Sequence, residues 1–244
     1  MDIKYVSADE AVSLITSNSR VFIQGSAATP LALVNALLNR ATDLEEVELV
    51  SISLLGDITW RKEAVINTFR LNSLFVSENV REWVNSSSGD YAPVFLSEIP
   101  GMFEKNILPL DTALVHVSPP DKHGYCSLGT SVDAAISAVR SAKKVIAQVN
   151  PKMPRTHGDG HVHVSAFAAM IWQEQSLPEI NYAQKADSCA MKIGENVASL
   201  IENGSTLQMG IGSIPDAVLS YLSSHRRLGI HTEMFSDGLI PLIE

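Results

Sequence analysis

VFIQGSAATPLALVNAL, residues 21–37, decides the fold. An apolar run with a phenylalanine and two β-branched residues reads as a strand, Gly25 opens a turn of small residues, and a helix follows. Thr29 can cap that helix and Pro30 can take its first turn, with Leu31, Val34 and Leu38 on one face. The same pattern returns in TLQMGIGSIPDAVLSYL, residues 206–222. Aligning Gly25 with Gly210 matches Pro30 with Pro215, Ala32 with Ala217, Leu33 with Val218 and Leu37 with Leu222. Read as an internal repeat, this predicts two α/β domains, residues 1–184 and 185–244. A parallel sheet needs several crossovers to cover its two faces. The first domain is therefore expected to be complete and the second to be only begun, as in a truncated chain.

Working outward, Ser7 to Glu10 has the form of a capping box and should open a first helix. Strands are expected at 20–24, 47–54, 72–76, 93–96, 112–117, 144–149 and 206–209. Val132, Ala135, Ile136 and Val139 make one helical stripe, and Ile193, Val197, Leu200 and Ile201 another. The alternation predicts an α/β fold with a mostly parallel sheet. Near the end, in GIHTEMFSDG (229–238) and the residue before it, Leu228, Ile230, Thr232 and Met234 alternate with other residues. A buried strand is expected there, carrying one carboxylate, Glu233, before a Ser-Asp-Gly turn.

Of the 244 residues, 45% are hydrophobic and 18% charged, and the formal net charge is −9. With no basic run, nucleic acid is excluded as a partner. No apolar segment has the length of a membrane helix or of a signal core, which predicts a cytoplasmic protein. Cys126 and Cys189 lie far apart without metal spacing and read as inert thiols.

Four loops carry candidate chemistry. A strand that enters a glycine turn and then a helix presents backbone N–H groups to an anion or a developing oxyanion. Gly25–Ser26 and Gly210–Gly212 both qualify, and Ser213 to Asp216 resembles a capping box. Neither turn is a P-loop or a G-x-G-x-x-G motif. VSPPDKHGYCSLGTSVD (117–133) is an elaborate loop after a strand, where α/β sheets bind ligands. A Cys126–His123 nucleophilic pair is conceivable there, without an evident orienting group. NPKMPRTHGDGHVHVS (150–165) holds His157, His161 and His163 with Asp159, but no recognised metal motif. It reads as a polar loop packing over a cleft, with Arg155 free to pair with a carboxylate or phosphate.

Taken in order, the proline loop, the histidine loop, LQMGIGSIPDAV and GIHTEMFSDG resemble the acetyl-CoA hydrolase/transferase family. These are class I coenzyme A transferases of the 4-hydroxybutyrate and butyryl/acetate type. The resemblance covers nearly the whole chain and implies two similar α/β domains. It places the catalytic glutamate of the G-I-H-[ST]-E-M segment at Glu233. It implies a nucleophilic carboxylate that attacks an acyl-CoA thioester and passes through a glutamyl-CoA thioester. Gly25, Ser26, Gly210 and Gly212 would then face the substrate, and Gln208 would orient its carboxylate. No metal or redox cofactor is implied, because coenzyme A enters as a substrate thioester.

The implied partners are an acyl-CoA and a small carboxylate, and the implied assembly is a homo-oligomer, a dimer. Family members are usually longer, with a glycine-rich coenzyme A-binding motif beyond this segment. His157 and His161 depart from the family pattern, as does the first turn, where Ala27 and Thr29 replace a richer glycine content. An acyl-CoA hydrolase using the same glutamate, an inactive subunit, and a metal hydrolase built on the three histidines are the alternatives.

Overall fold

The structure, a computed structural model, describes residues 3–180 and 186–243. They fall into two compact units, one ending at Pro178 and the other starting at Glu179. The boundary expected between residues 184 and 185 lies outside the described residues.

The first unit is built on seven parallel strands. These are β1 (Arg20–Ile23), β2 (Val47–Ser51), β3 (Phe69–Ser73), β4 (Gly89–Tyr91), β5 (Thr112–Val117), β7 (Lys144–Val149) and β9 (Ala169–Trp172). A small antiparallel pair, β6 (Tyr125–Ser127) and β8 (His161–His163), stands apart. The order across the large sheet is β4-β3-β2-β1-β5-β7-β9. The chain therefore leaves β1 in one direction, through β2, β3 and β4. It then returns to the other side of β1 for β5, β7 and β9. That reversal puts a topological switch point between β1 and β5, the position where open α/β sheets bind ligands.

Helices cover both faces. On one side, α1 (Ala8–Val12), α2 (Leu31–Asn39), α3 (Glu63–Thr68) and α4 (Arg81–Val84) pack against Val21, Ile23, Leu49, Leu71, Leu114 and Ile146. On the other, α5 (Ile99–Glu104) and α6 (Ala135–Ser141) pack against Phe22, Val50, Val115 and Ala147. The strand period of two sends alternate residues to alternate cores. Ser7 caps α1, its side chain accepting the Glu10 amide at 3.1 Å.

Several sequence expectations are corrected here. Thr29 does not cap α2. Its hydroxyl donates to the Ser26 carbonyl at 2.8 Å and accepts the Leu55 amide at 3.1 Å, while Pro30 occupies the cap position. The strand expected at 72–76 is β3, which stops at Ser73, where the Ser73 hydroxyl bonds the Phe75 carbonyl and turns the chain. Likewise, β2 stops at Ser51, short of 54. Residues 93–96 are not a strand. The edge strand is the earlier β4, and a short 3₁₀ turn follows at Leu96–Glu98.

The second unit contains α7 (Ser188–Ala198), β10 (Thr206–Leu207), α8 (Ser213–Ser220), β11 (Gly229–Ile230) and α9 (Ile240–Ile243). β10 and β11 pair in parallel, Leu207 opposite Ile230, so β10–α8–β11 is a βαβ unit. Asp187 caps α7, accepting the Ala190 amide at 2.7 Å. Of the expected stripe only Ile201, just past the end of α7, packs against the core of this unit. Ile193, Val197 and Leu200 are 37%, 40% and 83% exposed, whereas Ala190, Gly194 and Ala198 are buried. Close helix approach explains it, because a Cβ at Gly194 would sit 2.8–3.0 Å from Ala217 atoms of α8. Both strands of this unit are shorter than expected, ending at Leu207 and Ile230.

Candidate active site

Glu233 does not lie on a buried strand. β11 ends at Ile230, and Glu233 stands exposed three residues later. What keeps this irregular segment in place is a set of side-chain bonds within the second unit. The Thr232 hydroxyl accepts the Met209 amide at 2.9 Å and lies 3.0 Å from both the Met209 and Met234 carbonyls. The His231 amide donates to the Leu207 carbonyl at 3.0 Å, which carries the pairing one residue beyond β11. Past Glu233, the Ser236 hydroxyl donates to the Asp216 carboxylate at 2.8 Å.

These bonds bring the Glu233 segment to the carboxyl end of β10, beside the second glycine turn. Gln208 is exposed between β10 and that turn. Gly210 is open, since an added Cβ there would meet only Pro215 Cγ at 3.5 Å. Gly212 has φ 125° and ψ 179°, a conformation reserved for glycine, and occupies the cap position of α8. Ser213 is thus the first helical residue rather than the cap. Asp216 serves Ser236 instead of closing a capping box. Among the described residues, the amides of Ile211, Gly212 and Ser213 have no hydrogen-bond partner. An open helix start with free N–H groups can receive a developing negative charge. Gln208, Gly210, Gly212 and Glu233 therefore share one end of one small sheet.

Gly25 and Ser26 belong to the first unit, at the carboxyl end of β1. A Cβ on Gly25 would collide with the Ser53 carbonyl oxygen. Ser26 sits at φ 52° and its amide donates to that same oxygen at 2.7 Å. This amide is occupied and is not available as an oxyanion donor.

Beneath the turn runs a line of buried polar side chains that the sequence reading missed. Gln24 donates to the Leu128 and Ser131 carbonyls at 2.9 and 2.7 Å and accepts the His116 amide at 2.7 Å. Gln148 accepts the Ala32 amide at 3.1 Å, in the first turn of α2. Asn150 holds both the Lys152 amide and the Gln175 backbone. Amide side chains inside otherwise apolar strands were the available signal, since a buried amide needs partners. His116 lies fully buried among them, and burial pulls its pKa down to about 4, a hydrogen bond with the Thr29 backbone offsetting part of the shift.

The proline and histidine loops are tied to each other. β6 and β8 pair antiparallel, setting Tyr125 opposite His163 and Ser127 opposite His161. Arg155 donates to the Asp121 carboxylate at 2.7 Å and to the Tyr125 carbonyl at 2.8 Å. The Tyr125 amide, then the His123 amide and the Arg155 charge, hold the Asp121 carboxyl below its ordinary range. A Cys126–His123 nucleophile is ruled out, because Cys126 is fully buried and burial pushes its thiol up to about 12. His161 bonds the Gly158 carbonyl and His163 the Ser165 hydroxyl. Among the described residues no three metal-ligating side chains converge. No helix among them is long and apolar enough to cross a membrane.

Residues 2–193 match the acetyl-CoA hydrolase/transferase N-terminal domain. The chain belongs to the acetyl-CoA hydrolase/transferase family. It is 45% identical over 241 residues to the 4-hydroxybutyrate coenzyme A transferase of Clostridium kluyveri, covering 99% of this chain and 56% of that protein. It is 42% identical to a succinyl-CoA:acetate/propanoyl-CoA:succinate CoA transferase of Fasciola hepatica, covering 98% of this chain and 50% of that protein. Among solved structures, RipA from Yersinia pestis matches with a TM-score of 0.87 at 32% identity, over 98% of this chain and 58% of RipA. A 4-hydroxybutyrate CoA-transferase from Porphyromonas gingivalis matches with a TM-score of 0.80 at 34% identity, over 98% of this chain and 56% of that one. The family member described here thus spans about half the length of the curated relatives it matches.

Proposed function

We propose that this family member takes part in coenzyme A transfer between an acyl-CoA and a free carboxylic acid, with Glu233 as the nucleophile. One observation carries the reading: Glu233 is exposed at the carboxyl end of a parallel strand pair, on the same rim as the free amides of residues 211–213. Relatives named for the transfer of coenzyme A among butyryl, acetyl, succinyl and 4-hydroxybutyryl groups support the substrate class.

In this reading the Glu233 carboxylate attacks the thioester carbonyl, forming a mixed anhydride and releasing coenzyme A thiolate. The thiolate attacks the glutamyl carbonyl, which frees the first acid and leaves a glutamyl-CoA thioester. An acceptor carboxylate then attacks that thioester to give a second anhydride and thiolate. The thiolate takes the acceptor's acyl group as a new acyl-CoA and restores Glu233. A carboxylate is a weak nucleophile, so binding energy from the remote coenzyme A body must act at the reacting carbonyl. A well-aimed amide at residues 211–213 would add about 3 kcal/mol of transition-state stabilisation. Gln208 would contact the free carboxylate. A cytoplasmic location and a dimeric assembly belong to the same reading. A hydrolase would differ only in admitting water to the glutamyl thioester.

The test is an intact mass spectrum after brief incubation with butyryl-CoA and an acid quench, followed by peptide mapping. A coenzyme A-sized adduct on the Glu233 peptide is expected. Glu233→Gln should remove it and lower turnover on the order of 10⁴-fold with the fold retained. Turnover by that variant close to the parent protein would end the assignment. Turnover without a carboxylate acceptor would favour the hydrolase.

A further inference from the structure

We propose that Thr232, assisted by the Ser236–Asp216 pair, is a positioning residue that holds Glu233 against the open glycine turn; this rests on the reading of Glu233 as nucleophile. Among the described residues, the segment around Glu233 has no strand pairing beyond the His231 amide. An exposed carboxylate on irregular backbone would wander, and a displacement of about 1 Å at a reacting group can cost about 100-fold in rate. The structure supplies a side-chain hold on each side of Glu233. Before it, one hydroxyl accepts the Met209 amide and reaches the Met209 and Met234 carbonyls, so the residue preceding Gly210 and the residue following Glu233 are fastened to the same oxygen. After it, Ser236 is bonded to Asp216, which lies on α8 one turn beyond Gly212.

Gly238 closes the second hold. A Cβ there would lie 3.0 Å from Leu219 Cδ1, 3.3 Å from the Asp216 carboxylate and 3.4 Å from the Ser236 hydroxyl. The carboxylate and the glycine turn are thus braced to each other by side chains rather than by the sheet.

Thr232→Val removes the hydroxyl at nearly constant shape, and Thr232→Ser restores it. With butyryl-CoA and acetate, Thr232→Val should lower kcat about 100-fold while leaving KM for butyryl-CoA and the melting temperature close to the parent values. Thr232→Ser should recover most of the loss. A Thr232→Val protein within twofold of the parent in kcat would overturn the proposal, as would a loss that tracks a fall in melting temperature. Hydrogen exchange supplies a readout independent of turnover. The Met209 amide should exchange on the order of tenfold faster in Thr232→Val than in the parent. If the parent protein forms no glutamyl adduct, the nucleophile reading fails by itself. Faster Met209 exchange would then still support the hold on the segment, and unchanged exchange would overturn it.

Discussion

The two glycine turns share a sequence pattern and differ in physical character. The first is closed: Gly25 is pressed against the backbone of Ser53, and the Ser26 amide is occupied by the Ser53 carbonyl. The second is open: among the described residues a Cβ added at Gly210 would meet only Pro215 Cγ, at 3.5 Å, and three consecutive amides have no partner. Even the helices start differently. α2 begins one residue after Pro30, whereas α8 begins two residues before Pro215. The same motif serves as a packed pivot in one unit and as an exposed donor array in the other. The lesson is that a strand–glycine–helix word specifies backbone direction, while neighbouring strands decide whether its donors remain free.

That contrast can be broken by substitution. Gly25→Ala should be the most damaging change to stability, about 3 kcal/mol or more, because a backbone oxygen must move to admit the methyl group. A urea midpoint equal to the parent's would mean that the first turn is not packed as described. Acid should act on the same region. The pKa of His116 is about 4 in the folded chain against 6.5 when exposed. Its contribution is complete above about pH 6.5 and is lost as pH falls toward 4, because the unfolded chain takes up the proton first. The total is about 3 kcal/mol. Urea unfolding at pH 7, 5.5 and 4.5 should show this loss in the parent and a flatter profile in His116→Gln.

On the second turn the effects should be smaller. Gly212→Ala should cost about 1–3 kcal/mol through its φ of 125°. Gly210→Ala should stay within about 0.5 kcal/mol. A Gly210→Ala protein as unstable as Gly25→Ala would abolish the distinction between the turns.

Much of the fold was legible because it is written in local periodicity. The strands expected at 112–117 and 144–149 coincide with β5 and β7, whose residues are buried almost throughout. Errors fell where burial is set by distant partners. Phe75 reads as a strand residue but is 59% exposed beyond the end of β3. Ile193 and Val197 read as the buried stripe of α7 but are exposed, because small residues, not large ones, allow the close packing on α8. The pairing of β6 with β8 was hidden because it joins loops far apart in the chain.

For the candidate site, the motif points to Glu233 and the glycines, but on its own it suggests a rigid strand, whereas β11 ends at Ile230. The support from Thr232, Ser236 and Asp216 depends on side-chain geometry, which alternation of apolar residues does not encode. The strand order, and with it the switch point beside Gly25, is likewise a property of crossovers rather than of any one segment.

The parallel pairing of β1 with β5 also sets a timetable for the nascent chain. The Arg20 amide finds the Asp111 carboxylate 91 positions downstream, whereas Met209 and Thr232 are only 23 apart. Closing a long loop delays the reward from the contact it makes. As the chain emerges, β1 can be joined on its β2 side early, yet it remains an open edge until residues 112–117 are made. The switch point therefore closes only once β5 has been made, and until then the VFI edge of β1 offers unpaired backbone groups to other strands.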